Sequence, residues 1–245
     1  MNITIAKNEA EFDRMAAWRI VAAMLKNPKA VIGLSTGQTT INMHDLVLQI
    51  HKQHPFDVSG ITLFGVDEVA NVSREYEKTA YATLKERFSD ILGIPSDNFV
   101  APQTFSDDFK KECKKFQEAL ENRGGIDLQV LGLGENGHVG FNQPGTPFES
   151  ETWVAQLLES VETRVRREAN VPVEQELGGI TLGIKDIMLS RNILLAAKGS
   201  HKAEIVKKIL FGPITTDVPG SILQLHSNCE YLFDTEAAQY ILDQI

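Results

Sequence analysis

The chain has 245 residues, with 33 acidic and 24 basic side chains for a formal charge of −9, and 42% hydrophobic and 23% charged residues. That is the composition of an ordinary globular protein, long enough to bury a core without disulfide or metal support. The acidic balance disfavours non-specific nucleic-acid binding, which needs a basic patch. No run of ~18 apolar residues offers a membrane helix, and residues 1–7 lack the basic-then-apolar order of a signal peptide.

Helical spacing runs over residues 8–26, with Met15, Trp18, Ala22 and Leu25 predicted as the apolar face and Pro28 just past the end. Residues 30–34 read as a buried strand, followed by a small, hydroxylated loop and a helix carrying Met43, Leu46, Val47 and Ile50 on one face. Residues 61–66 and 126–133 are further strands, and 107–123 is a charged amphipathic helix. Residues 192–197 and 230–233 read as strands, with helices expected near 201–210 and over 235–244. Strands that are apolar on both faces and separated by helices imply a parallel sheet covered on both sides. The expected fold is α/β, three layers (α/β/α) around a mainly parallel, Rossmann-like sheet. With no linker or repeat in the pattern, one domain over 1–245 is the economical reading. Cys113 and Cys229 are too few and too far apart for a disulfide framework, and the six histidines include no HExxH pair. Free thiols in a reducing cytoplasm, and no metal, are expected.

Ligands of such sheets sit outside the carboxyl ends of the strands. Three loops at those ends carry chemistry. Ser35, Thr36, Gly37, Gln38 and Thr39 stand between strand and helix, where free N–H groups, hydroxyls and the helix dipole make an anion site; a plain N-cap is the other reading. Asp67 and Glu68 directly follow a strand, placed either to act as a general base or to cap the following turn. Residues 131–145 hold five glycines around His138, with Asn136 and Gln143 able to orient the ring. An imidazole titrating near neutrality suits proton transfer at a sugar oxygen. Lys202, near the start of a helix, is electrostatically misplaced unless an anion sits nearby or the side chain is simply solvated.

Together these loops resemble the glucosamine-6-phosphate deaminase (isomerase) family, within a wider group that includes 6-phosphogluconolactonases. The Asn-Gly-His-x-x-Phe-Asn-x-Pro-Gly block at 136–145 is its specific motif. The Ser-Thr-Gly loop, Asp67-Glu68, residues 180–183, 199–202 and 223–226 support it over nearly the whole chain. Residues 179–187 and 225–228 also look like a branch described as galactosamine-6-phosphate isomerase. A lactonase is expected to read Ser-Leu-Phe-Pro where this chain has Phe141, Asn142, Gln143 and Pro144.

The resemblance implies an enzyme that converts glucosamine or galactosamine 6-phosphate to the ketose 6-phosphate and ammonia without a cofactor. Its phosphate would lie on residues 35–39 with Lys202 countering the charge; His138 would open the pyranose, and Asp67 would carry the C2 proton to C1. Asn136 stands where the family shows Asp or Asn. Gln143 replaces a usual glutamate, so His138 is expected to be less basic than in relatives. Arg164, Arg166 and Arg167 fall in the region of a phosphate-site arginine, and residues 152–157 lack the basic groups of effector-regulated members. The expected partner is a small hexosamine 6-phosphate, with no nucleic acid or membrane, and the chain acts as a monomer or homo-oligomer. Two other readings stand beside this one: a lactone hydrolase, and a sugar-phosphate sensor without turnover.

Overall fold

Runs of four to six residues rich in Val, Ile and Leu become strands buried on both faces, and their order along the chain fixes where the loops meet. The computed structural model describes residues 2–73 and 76–244, with Gln38 through its backbone alone. In chain order the strands are β1 (Asn2–Ala6), β2 (Val31–Leu34), β3 (Thr62–Gly65), β4 (Asp67–Ala70) and β5 (Phe99–Val100). They continue with β6 (Leu128–Gly132), β7 (Trp153–Ala155), β8 (Gly178–Thr181), β9 (Ile193–Ala197) and β10 (Cys229–Asp234). The helices are α1 (Glu9–Lys26), α2 (Gln38–Gln53), the single turn α3 (Asp90–Leu92), α4 (Phe109–Glu121), α5 (Glu159–Ala169), α6 (Ile184–Met188) and α7 (Ala203–Phe211). A π-helical segment, Tyr81–Ser89, runs into α3.

Seven strands form a wholly parallel sheet in the order β1-β10-β9-β6-β2-β3-β5. One face packs on α1, α2 and the π-helical segment through Phe12, Ile20, Met43, Val47 and Phe88. The other packs on α4, α6 and α7 through Phe116, Ile187, Val206 and Ile209. This is the three-layer arrangement the sequence implies, and the predicted strands lie within about two residues of the observed ones. α1 begins at an Asn8 side-chain cap on Glu11 N–H.

Three readings need correction. The predicted face of α1 points outward: Trp18 and Leu25 are 45% and 53% exposed. The buried stripe is Phe12, Ala16, Ile20 and Met24. Alanines all round this helix leave two apolar stripes of similar spacing, and the sheet takes the other one. Residues 235–244 form turns ending in the 3-10 turn Leu242–Gln244, not a helix. Asp67 and Glu68 are not in a loop: they open β4, which leaves β3 after one residue and pairs antiparallel with β8, itself paired antiparallel with β7. This small second sheet and the edge strands β1 and β5 are not among the elements predicted from the sequence.

Among the described residues no helix is long and apolar enough to cross a membrane, and none gather three or more His, Cys, Asp or Glu side chains at a site able to hold a metal ion. Both cysteines are free and buried.

Candidate active site

Parallel strands end on one side of the sheet, so the segments after β2, β3, β6 and β9 converge there. They enclose a cleft of about 540 Å³ whose lining includes Thr36, Asp67, Asn136, His138, Arg164 and Lys202. A larger groove of about 780 Å³ lies at the opposite strand ends, against Asn2, Asn192 and Cys229, away from every predicted site residue.

The loop after β2 presents backbone. Gly37 caps α2 at φ 144°, a conformation that strains any residue with a Cβ. No side chain caps the helix there, and its first turn holds no acid. Thr40 pins the loop by donating from Oγ1 to the carbonyls of Ser35 (3.0 Å) and Gly37 (3.2 Å). Of the two readings of this loop, the structure thus shows an uncapped N-terminus, with N–H groups and the positive end of the dipole facing the cleft. Ser35 is buried and its hydroxyl donates to the Val130 carbonyl at 3.1 Å, so it joins the loop to β6. Thr36 and Thr39 line the cleft, whereas the Gln38 side chain lies outside the described residues.

After β6 the chain folds back on itself through Gly134 N–H to His138 O (2.9 Å) and Gly137 N–H to Gly134 O (3.0 Å). A methyl group on Gly134 would collide with the His138 ring, so only glycine lets the imidazole lie against the turn. Asn136 Oδ1 accepts the backbone N–H of His138 at 3.1 Å, which fixes the amide orientation. The same oxygen lies 2.7 Å from His138 Nδ1, so Nδ1 carries the proton and the lone pair of the neutral ring sits on Nε2. Gln143 Oε1 accepts from Asn136 Nδ2 at 3.0 Å. Gln143 therefore reaches His138 through Asn136. Burial holds the His138 pKa down at about 4, with the charge of Lys202 acting the same way and that of Glu135 opposing. Asn142 anchors the loop from below, donating to Val139 and Leu182 carbonyls and accepting from Trp153 Nε1.

β4 separates the two adjacent carboxylates by its alternation. Asp67 is half-buried and lines the cleft; the Cβ position of Gly140 lies 3.7 Å from its Oδ2. Burial, then the charge of Glu68, raises its pKa to about 7. Glu68 points inward and accepts the N–H groups of Val69, Ala80 and Tyr81 at 2.9, 3.1 and 2.9 Å, capping the π-helical segment. Of the two readings of that pair, the capping one falls to Glu68, while Asp67 lines the cleft.

Lys202 ends a 3-10 turn before α7 and is half-buried, its pKa lowered by that burial and supported by the charge of Glu135. Of the three candidate arginines, α5 brings only Arg164 to the cleft. Arg166 is held by Glu162 and the Pro172 carbonyl, and Arg167 lies 3.8 Å from Glu168. Spacing alone could not choose among them; the helical offset of Ser160 and Arg164, four apart on one cleft-facing side, is the signal that would have.

Comparison with known proteins places the chain in a family. The model for glucosamine-6-phosphate isomerases/6-phosphogluconolactonase matches residues 9–231. A glucosamine-6-phosphate deaminase of Thermoanaerobacter sp. (strain X514) is 33% identical, over 100% of this chain and 96% of its own. One from Clostridium botulinum (strain Kyoto / Type A2) is 35% identical over 97% of this chain and 98% of its own. A solved monomeric glucosamine-6-phosphate deaminase superposes with TM-score 0.90 at 32% identity, covering 98% of this chain and 99% of that one. The 6-phosphogluconolactonase of Trypanosoma brucei shares the fold, with TM-score 0.78 at 20% identity over 98% of each chain. The chain belongs to the glucosamine-6-phosphate isomerase/6-phosphogluconolactonase family.

Proposed function

We propose that this protein is an aminosugar-phosphate deaminase/isomerase, converting glucosamine 6-phosphate, or its galactosamine epimer, to the ketose 6-phosphate with release of ammonia. One observation carries the reading: a neutral imidazole and a carboxylate of raised pKa share a cleft with an uncapped helix N-terminus, Lys202 and Arg164. The full-length relatives named as glucosamine-6-phosphate deaminases support it. Free buried thiols fit a reducing cytoplasm.

The phosphate lies on the N–H groups of the α2 N-terminus with Thr36 and Thr39, Lys202 and Arg164 balancing its charge. His138, oriented by Asn136 and through it by Gln143, uses Nε2 to take the C1 hydroxyl proton and return a proton to the ring oxygen, which opens the pyranose. Asp67 then removes the C2 proton, made acidic by the substrate's own carbonyl, and delivers it to C1 of the enolamine. Water adds to the resulting C2 imine and ammonia leaves; one water enters and one ammonia departs per turnover. Every group used lies on one chain.

The test supplies each hexosamine 6-phosphate and measures ammonia and ketose 6-phosphate. Both products are expected from at least one epimer, and Asp67→Asn abolishes C2 proton exchange with solvent. Ammonia from neither epimer sinks the reading, and turnover of a 6-phosphogluconolactone without ammonia moves it to the hydrolase class.

A further inference from the structure

Glu135 is the acidic group in the cleft that the mechanism above does not use. It sits in the tight turn 134–137, with Asn136 beside it tied inward to His138 and Gln143. The turn is fixed again from outside, since Gly220 N–H donates to the Gly137 carbonyl at 2.8 Å. Glu135 itself is exposed toward the cleft, and among the described residues it makes no hydrogen bond or ion pair. Its charge reaches both His138 and Lys202.

An uncommitted carboxylate is out of place in a site for a phosphate dianion, because it repels the ligand and offsets Lys202. The charged groups facing the cleft are Asp67 and Glu135 against Arg164 and Lys202. Two positive groups suffice to explain the phosphate. A positive charge on the ligand complements the acidic groups, and since Asp67 is assigned to the C2 proton, Glu135 is the one left to meet it.

We propose that Glu135 is a specificity-determining residue that recognises the C2 ammonium of the substrate, selecting hexosamine 6-phosphates over phosphosugars with a hydroxyl there. This rests on the aminosugar reading above and deepens it. A phosphogluconolactone, with the same phosphate but an uncharged hydroxyl at C2, gains nothing from Glu135 to offset that repulsion, so the same residue turns the site away from the chemistry of its lactonase relatives.

The test uses two unreactive open-chain probes, 2-amino-2-deoxyglucitol 6-phosphate and glucitol 6-phosphate, which differ only at C2. Their binding is measured by calorimetry at pH 7, where the amine is protonated. The wild-type chain binds the amino probe more tightly, and Glu135→Gln narrows the ratio of the two affinities by about fivefold, the effect of a partly exposed charge pair. The loss falls on the amino probe alone, with glucitol 6-phosphate unchanged or tighter, and Glu135→Asp retains part of the preference. An equal loss for both probes, or an unchanged ratio, overturns the role of Glu135 while leaving the function intact. Failure of the wild-type chain to bind either probe overturns the aminosugar-phosphate reading and this inference with it.

Discussion

At the scale of single residues, the two groups proposed as proton carriers, His138 and Asp67, are tuned in opposite directions by the same physical cause. Burial disfavours charge, so it lowers His138 to about 4 and raises Asp67 to about 7. The imidazole is then neutral at working pH, able to pass a proton between two oxygens through Nε2. The carboxylate becomes a base about a thousandfold stronger than an ordinary aspartate, as ~3 pKa units imply. It must be ionised to act. The expected pH profile of kcat/KM therefore rises through about pH 7 and falls tenfold per unit on its acid side; a limb near pH 4 would show that Asp67 is not the base. A second outcome concerns the amide behind the histidine. Gln143→Glu keeps an acceptor for Asn136 Nδ2 and adds a negative charge, so the His138 pKa, followed by NMR, should rise and turnover of the cyclic substrate increase. A rise in pKa without faster ring opening would assign the slow step to Asp67 instead. The histidine and the carboxylate were legible in the sequence because each is a distinctive residue just past a strand; that Gln143 meets the ring only through Asn136 was not, since either amide could have bonded it directly. The direction of Ser35 was not, since a hydroxyl turned toward Val130 and one turned toward a ligand have the same sequence.

At the scale of elements, β4 shows how one strand serves two purposes. Its two-residue period sends Asp67 to the cleft and Glu68 down to the N–H groups that start the π-helical segment. That segment packs Phe88 against His44 of α2, ring centroids 5.2 Å apart. His44 is buried, its Nε2 has no partner among the described residues, and burial lowers its pKa to about 4 from 6.5. The unfolded chain binds the proton first as pH falls, so this histidine costs stability progressively between about pH 6.5 and 4 and nothing above. His44→Leu should leave the melting temperature at pH 8 unchanged or higher and flatten its decline toward pH 4.5. An undiminished acid decline would place the sensitivity elsewhere. These contacts lay beyond sequence reading for a definable reason. The strands β4, β7 and β8 are three or four residues long, and β8 opens with Gly178 and Gly179, so neither period nor propensity marks them. The central strands β2, β3, β6, β9 and β10 are largely apolar runs and were placed correctly, whereas the edge strands β1 and β5 carried no such signal. In α1 the periodicity identified a helix but not its buried face, because packing chose between two stripes of nearly equal apolarity.

At the scale of the whole molecule, an excess of nine negative charges is compatible with the proposed dianion site because recognition is local. Backbone N–H groups at one helix end, Lys202 and Arg164 act within a few ångströms, whereas solvent screens the distant surface over about 8 Å at physiological salt. Overall charge was readable from composition; the cleft's balance of two acids against two bases was not, since Arg164 arrives from α5 and Glu135 from a turn after β6. Chain order and spatial order also diverge at the edge of the sheet. β1, at one end of the chain, pairs only with β10, at the other, and β10 is the strand that joins it to β9. During synthesis β1 therefore has no strand to pair with until β10 has left the ribosome. Until then β9 remains an open edge, able to recruit a foreign strand. The loops that make the cleft are all translated earlier, yet the sheet beneath them closes only with the last strand. A chain cut before Cys229 should therefore carry every cleft loop yet leave β9 unpaired on one side, and its self-association along that edge is the measurable consequence.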